Sequence, residues 1–209
     1  MPDLRRERAQ VMPDRAPDPG ILSVLKRAVG VLGAAEIPFA LAGSMACWAL
    51  GGPPSRHDVD LAIRKADADA ALEALEAAGF TVERPPEGWL VKAYADDVLV
   101  DLIWHPMGLE VTDTVLGAAG LVNVDGMEVP ALAPTDVLTS KLLALNESHL
   151  DFEGLLAIVR GVREQVDWAE LRRRTEERPL ARSFLFMAAE LGLMPGDVRL
   201  ATRVTKGAA

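Results

Sequence analysis

Up to Pro134, short apolar strand runs alternate with amphipathic helices; beyond it every apolar repeat has helical spacing. That order constrains the fold more than any other feature. Strands must bury one face against helices, so the first part predicts a small α+β core with a mixed sheet, and the second a helical bundle attached to it. The pattern opens at Gly20, where Ile21, Leu22, Leu25, Ala28, Val29 and Leu32 recur at helix spacing. A short strand over 37–43 and a short helix closed by Gly51 and Gly52 follow, then a strand over 58–63 and an alanine-rich helix stopped by Gly79. Strands are predicted over 80–84, 89–95 and 98–104, the last two joined at Asp96-Asp97, and Asp125-Gly126 marks another hairpin. Helices are predicted over 134–147, 151–164, 167–177 and 180–192. The organisation is therefore a charged, proline-bearing leader over 1–19, a core over 20–133, a helical region over 134–195 and a tail over 196–209.

Composition narrows the class. A chain of 209 residues holds one compact domain, or a core with a helical appendage. Cys47 is the lone cysteine, which excludes an intrachain disulfide, and with no signal peptide in view a reducing cytoplasm is the expected compartment. No apolar run approaches the ~20 residues a membrane span needs. The net charge of −9 argues against a protein that coats nucleic acid, but not against a confined basic groove. Candidates for such a groove are Arg56, Arg64, Lys65 and the run Arg172 to Arg174, although charge runs more often form solvated faces.

The chemistry concentrates in Leu41-Ala-Gly-Ser-Met45 and Asp58-Val-Asp-Leu61. Residues two apart on a strand share a face, so Asp58 and Asp60 sit side by side while Val59 and Leu61 enter the core. Two such carboxylates repel unless a cation lies between them, and rigid hard-oxygen ligands suit Mg²⁺ or Mn²⁺. Gly43 and Ser44 occupy a strand-to-helix turn, where glycine permits a close approach and backbone N–H groups face a phosphate. Asp101 stands in a run apolar on both sides, which predicts a buried central strand. A carboxylate there needs compensation; a shared metal would supply it, and Asp101 could also serve as a general base.

Together, the glycine–serine turn, the spacer, the Asp-x-Asp strand and the later carboxylate resemble the polymerase β-like nucleotidyltransferases. The resemblance spans about 37–104 by motif and extends through 140–152, "SKLLALNESHLDF", to AbiEii/MenT-type toxins. It implies the polymerase β-like core, an NTP substrate and a divalent metal held by Asp58, Asp60 and Asp101. Gly43 and Ser44 would hold the triphosphate, Lys141 would contact phosphate, and Asp151 would support the site from the next helix. Lys141 also fits a helix residue that snorkels to solvent, and Asp151 equally fits an N-cap.

Several of those toxins act on tRNA 3′ ends, so the resemblance points to a tRNA acceptor and a cognate antitoxin protein. An antibiotic adenylyltransferase acting on an aminoglycoside or lincosamide is the alternative, and its cationic substrates suit the −9 charge better. A non-catalytic interaction protein on the same fold is a third reading, which the intact carboxylates oppose. His57, His105 and His149 lack metal-ligand spacing, and Trp89 beside Gly88 is a candidate contact for a base or acceptor.

Overall fold

The computed structural model describes residues 16–55 and 58–195. The helix predicted from Gly20 begins slightly earlier: α1 runs Pro19–Ala34, with Asp18 accepting from the Gly20 N–H as its cap and Pro19 in the first turn. Residues 1–15 of the expected leader and the expected tail over 196–209 lie outside the described residues. After α1 come β1 (Phe39–Leu41), α2 (Gly43–Ala49), β2 (Asp58–Ile63) and α3 (Ala68–Ala77), then β3 (Thr81–Glu83), β4 (Leu90–Ala95) and β5 (Val98–Ile103). A short helix that the apolar pattern does not reveal, α4 (Asp113–Gly117), is capped by Thr112. The hairpin β6 (Gly120–Val124) and β7 (Met127–Ala131) turns at Asp125-Gly126, both in the left-handed region that such two-residue turns require. From Pro134 the described chain is helical: α5 (Pro134–Ala144), α6 (Phe152–Val162), α7 (Trp168–Thr175) and α8 (Pro179–Glu190).

The strands form one mixed sheet in the order β3-β4-β5-β2-β1-β7-β6. β2 runs antiparallel to β1 and parallel to β5, and β1 pairs with β7 in parallel. The Asp96-Asp97 turn places both residues at positive φ and pairs Ala95 with Val98, which sets the β4–β5 register along its whole length.

Alternation along the strands separates two faces. Val59, Leu61 and Ile63, with Val91, Ala93, Val100 and Leu102, are buried on the side that α1 and α3 cover. Asp58, Asp60, Lys92, Tyr94 and Asp101 are only partly buried and lie on the opposite face. The buried cluster continues from that core through Leu138, Leu142, Val159, Leu171 and Phe184 of the C-terminal helices. There α5 and α6 pack on α2, and Phe184 meets Phe152 edge to face at 5.5 Å. The C-terminal helices thereby close one side of the cleft that Asp58 lines. Among the described residues, no helix is long and apolar enough to cross a membrane.

Candidate active site

Parallel pairing of β2 with β5 sets Asp60 directly beside Asp101, with Asp58 one step along the same face. One oxygen from each of these three carboxylates lies within 4.8 Å of the others. Hard oxygen donors at that separation on two hydrogen-bonded strands fit a divalent cation of the magnesium class. The electrostatics agree. Burial, reinforced by Asp58 and then Asp101, pushes the Asp60 carboxyl up to about 7, although Lys141 and the Ser44 N–H pull the other way. Burial likewise raises the Asp101 carboxyl, against the opposing pull of Lys92.

Gly43 accounts for how the turn fits the strand. It sits at φ +52°, and a Cβ at this position would lie 1.7 Å from Asp60 Oδ2. The close approach expected of a glycine here is therefore made to Asp60. The Ser44 N–H is directed at the same carboxylate, and Ala42 N–H donates to the Asp60 carbonyl at 2.9 Å. Lys141, on α5, donates to Ser44 Oγ at 3.1 Å. Gly43, Ser44, Asp58, Asp60, Asp101 and Lys141 thus form one constellation.

A cavity of about 390 Å³ opens from Ser44, Asp58 and Lys141 toward the α5–α6 connection. Pro53, Leu145, Leu155 and Ile158 give it apolar walls, and His149 and Asp151 also line it. That size and mixed lining are typical of a small-ligand pocket. Asp151 caps α6, accepting from Gly154 N–H at 2.9 Å, so the N-cap reading is realised while the residue also borders the cavity.

Some expected residues lie elsewhere or are otherwise engaged. Asp101 has a protein partner that the sequence reading missed: Lys92 Nζ donates to its Oδ1 at 2.9 Å. For the Lys92 ammonium, burial works against the charge, but Asp101 outweighs it and the pKa is raised. Arg173 pairs with Glu170, and Arg174 with Asp136 of α5. Arg64 is held by Asp67 and Asp113. Arg56 and His57 lie outside the described residues. Trp89, just before β4, is 39% exposed and does not line this cavity, while His105 borders a second cleft with Arg64 and Trp104. Cys47 is fully buried and its thiol is pushed up to about 12 by burial, so it is no nucleophile.

The crystal structure of ANT(2'')-Ia with adenylyl-2''-tobramycin superposes with a TM-score of 0.54 at 14% identity, covering 75% of this chain and 97% of that one. The solution structure of the antibiotic-resistance factor ANT(2'')-Ia gives 0.53 at 14% identity, over 82% and 94%. The fold is that of the polymerase β-like nucleotidyltransferases. A family model described as aminoglycoside-2''-adenylyltransferase matches residues 24–115, the stretch that carries the Gly43-Ser44 turn and all three carboxylates. A lincomycin-bound lincosamide antibiotic adenylyltransferase, LnuA, is similar at a TM-score of 0.47 and 14% identity, over 65% of this chain and 96% of that one. No curated protein matches the sequence.

The raised Asp60 carboxyl makes a stability prediction for the metal-free protein. An acid whose folded pKa lies above its ordinary value of 3.8 contributes full stability below about 4 and loses it as pH rises through about 7. In chelator, the melting temperature should therefore carry a falling component between pH 4 and 7 that Asp60→Asn lacks. Thermal melts of both proteins across that range check it; the same pH slope in the variant would remove Asp60 as the source.

Proposed function

We propose that this chain transfers a nucleoside monophosphate from an NTP to a hydroxyl of a small, positively charged acceptor of the aminoglycoside kind. The observation that carries the transfer reading is the carboxylate trio gathered within 4.8 Å beside the Gly43-Ser44 turn, with one of the three, Asp58, lining a ligand-sized cavity together with Ser44 and Lys141. The triphosphate would run along Ser44 and Lys141, whose hydroxyl and ammonium suit phosphate oxygens, with the nucleoside in the cavity beyond. A divalent cation held by Asp58, Asp60 and Asp101 would neutralise charge on the reacting phosphate. The acceptor oxygen bonds to the α-phosphorus as the bond to the bridging oxygen breaks, and pyrophosphate leaves. Asp101, its carboxyl raised by burial, would take the hydroxyl proton.

Charge and the matching family model support this acceptor class. The protein carries −9, and Glu87 adds a further carboxylate to the surroundings of Asp101. A polyanion would meet repulsion there, whereas a polycation would be drawn in. The tRNA reading, and with it the antitoxin partner, requires a basic groove, yet Arg64, Arg173 and Arg174 are each held by acids. Each labelled NTP should be incubated with an aminoglycoside and lincosamide panel and, separately, with total RNA. Label is expected in a small cationic acceptor; labelled RNA with a blank panel would overturn the acceptor class and restore the tRNA reading.

The ion pair of Arg174 with Asp136 gives a separable prediction. Its side chains are 16% and 25% exposed and join α7 to α5, far in sequence from the carboxylate strands. Arg174→Ala should cost about 1–3 kcal/mol, since a charge-assisted hydrogen bond in partial shelter is lost. Well below the melting point, transfer to a small acceptor should proceed at the parent rate. Denaturant melts and a rate assay on the same preparation test both halves.

A further inference from the structure

Strand register sets four charged residues in one row across the sheet: Glu83 on β3, Lys92 on β4, Asp101 on β5 and Asp60 on β2. Each faces its neighbour directly, and the row ends where Ala42 and the Gly43 turn meet Asp60. Lys92 is the single cation in it, with a carboxylate on either side. It donates to Asp101 at 2.9 Å, and the two side chains are only 22% and 13% exposed. Glu83 is engaged by Tyr94, whose hydroxyl donates to Oε2 at 2.9 Å, and its charge acts on Lys92.

We propose that Lys92 is a resident counter-ion of the carboxylate site, occupying Asp101 when no divalent cation is bound and yielding its hold toward Glu83 when one binds. This rests on the reading that the three carboxylates hold metal. Three acids crowded on one face need positive charge nearby if the fold is to keep them together in the absence of a metal ion. Lys141 supplies it from the side of Ser44, and Lys92 from the side of Asp101. An ammonium bonded to one carboxylate oxygen also opposes a cation arriving at the other. At a spacing of order 5 Å, loss of one unit charge facing a divalent cation should tighten cation binding by roughly tenfold even at the dielectric of water. Lys92 is thus a positioning residue, and it keeps the empty site in order while holding its affinity for a free cation down.

A purely structural cross-strand pair would behave differently, and Mn²⁺ alone distinguishes the two. Mn²⁺ affinity of the whole chain would be measured at pH 8 from the free-ion paramagnetic signal, without nucleotide or acceptor. Lys92→Met should bind Mn²⁺ roughly tenfold more tightly than the parent, melt lower in chelator and regain more of its melting temperature on adding Mn²⁺. Lys92→Arg, which keeps the charge, should bind like the parent. Glu83→Gln removes the second carboxylate open to Lys92, so it should weaken Mn²⁺ binding several-fold in the parent and much less in the Lys92→Met background.

If Lys92→Met binds no more tightly, or if Glu83→Gln acts equally with and without Lys92, the proposal fails while the metal reading stands. A folded parent that binds no Mn²⁺ overturns the metal reading and this proposal together. Should Lys92→Met not fold, Lys92→Gln and the Glu83→Gln comparison carry the same test.

Discussion

Asp60→Asn is expected to reduce nucleotidyl transfer by roughly a thousandfold or more, because the charge that faces both other carboxylates is lost at the reacting centre. The fold should survive. Asparagine keeps the side-chain length and an oxygen for the Ser44 N–H, and Val59 and Leu61 on the buried face are untouched. In chelator at neutral pH the variant should melt no lower than the parent, since its carboxyl is the one that burial and two neighbouring acids most disfavour. Mn²⁺ should raise the parent's melting temperature and leave the variant's nearly unchanged. The assay is single-turnover transfer with labelled NTP, alongside melts with and without Mn²⁺. A variant that transferred nucleotide at the parent rate would take Asp60 out of the site altogether.

Much of this geometry was legible from short-range pattern. The strand over 58–63 matches the observed Asp58–Ile63, because its first four residues alternate and Asp58 and Asp60 cannot share the core face with Leu61. The turns at Asp96-Asp97 and Asp125-Gly126 were likewise readable from their composition. The pairing of Lys92 with Asp101 was missed, although its signal was present: a two-residue turn at Asp96-Asp97 fixes which residues face each other, and counting back from it places these two opposite. A lysine across the strand supplies the compensating charge that a metal would also supply. Other features had no local signal. The pairing of Arg174 with Asp136 spans a long sequence separation and depends on how α7 lies on α5. The five-residue α4 is too short for periodicity to show, and the parallel contact of β1 with β7 is set by tertiary packing. For Gly43 the sequence indicated a close approach, but the group approached is the Asp60 carboxylate, a fact only the sheet's register supplies.

That contact gives Gly43→Ala the second large expected effect. An alanine Cβ would lie 1.7 Å from Asp60 Oδ2 and 2.5 Å from its Cγ, far inside contact distance, and φ +52° adds strain for any L side chain. The left-handed backbone alone costs about 1–2 kcal/mol. The turn cannot back away cheaply, since the Ala42 N–H is bonded to the Asp60 carbonyl at 2.9 Å. The carboxylate must therefore rotate out, losing the Ser44 N–H and its place beside Asp58 and Asp101. Transfer should fall by roughly a hundredfold or more, as expected when a charge-stabilising group is displaced, and Mn²⁺ binding should weaken with it. Combining Gly43→Ala with Asp60→Ala removes the colliding atoms and leaves the nearest, Cβ, at 3.0 Å. The double variant should melt above Gly43→Ala alone yet remain inactive. If instead Gly43→Ala kept parental Mn²⁺ affinity and turnover number but raised the KM for NTP, the glycine would serve approach of the triphosphate, and its contact with Asp60 would be incidental.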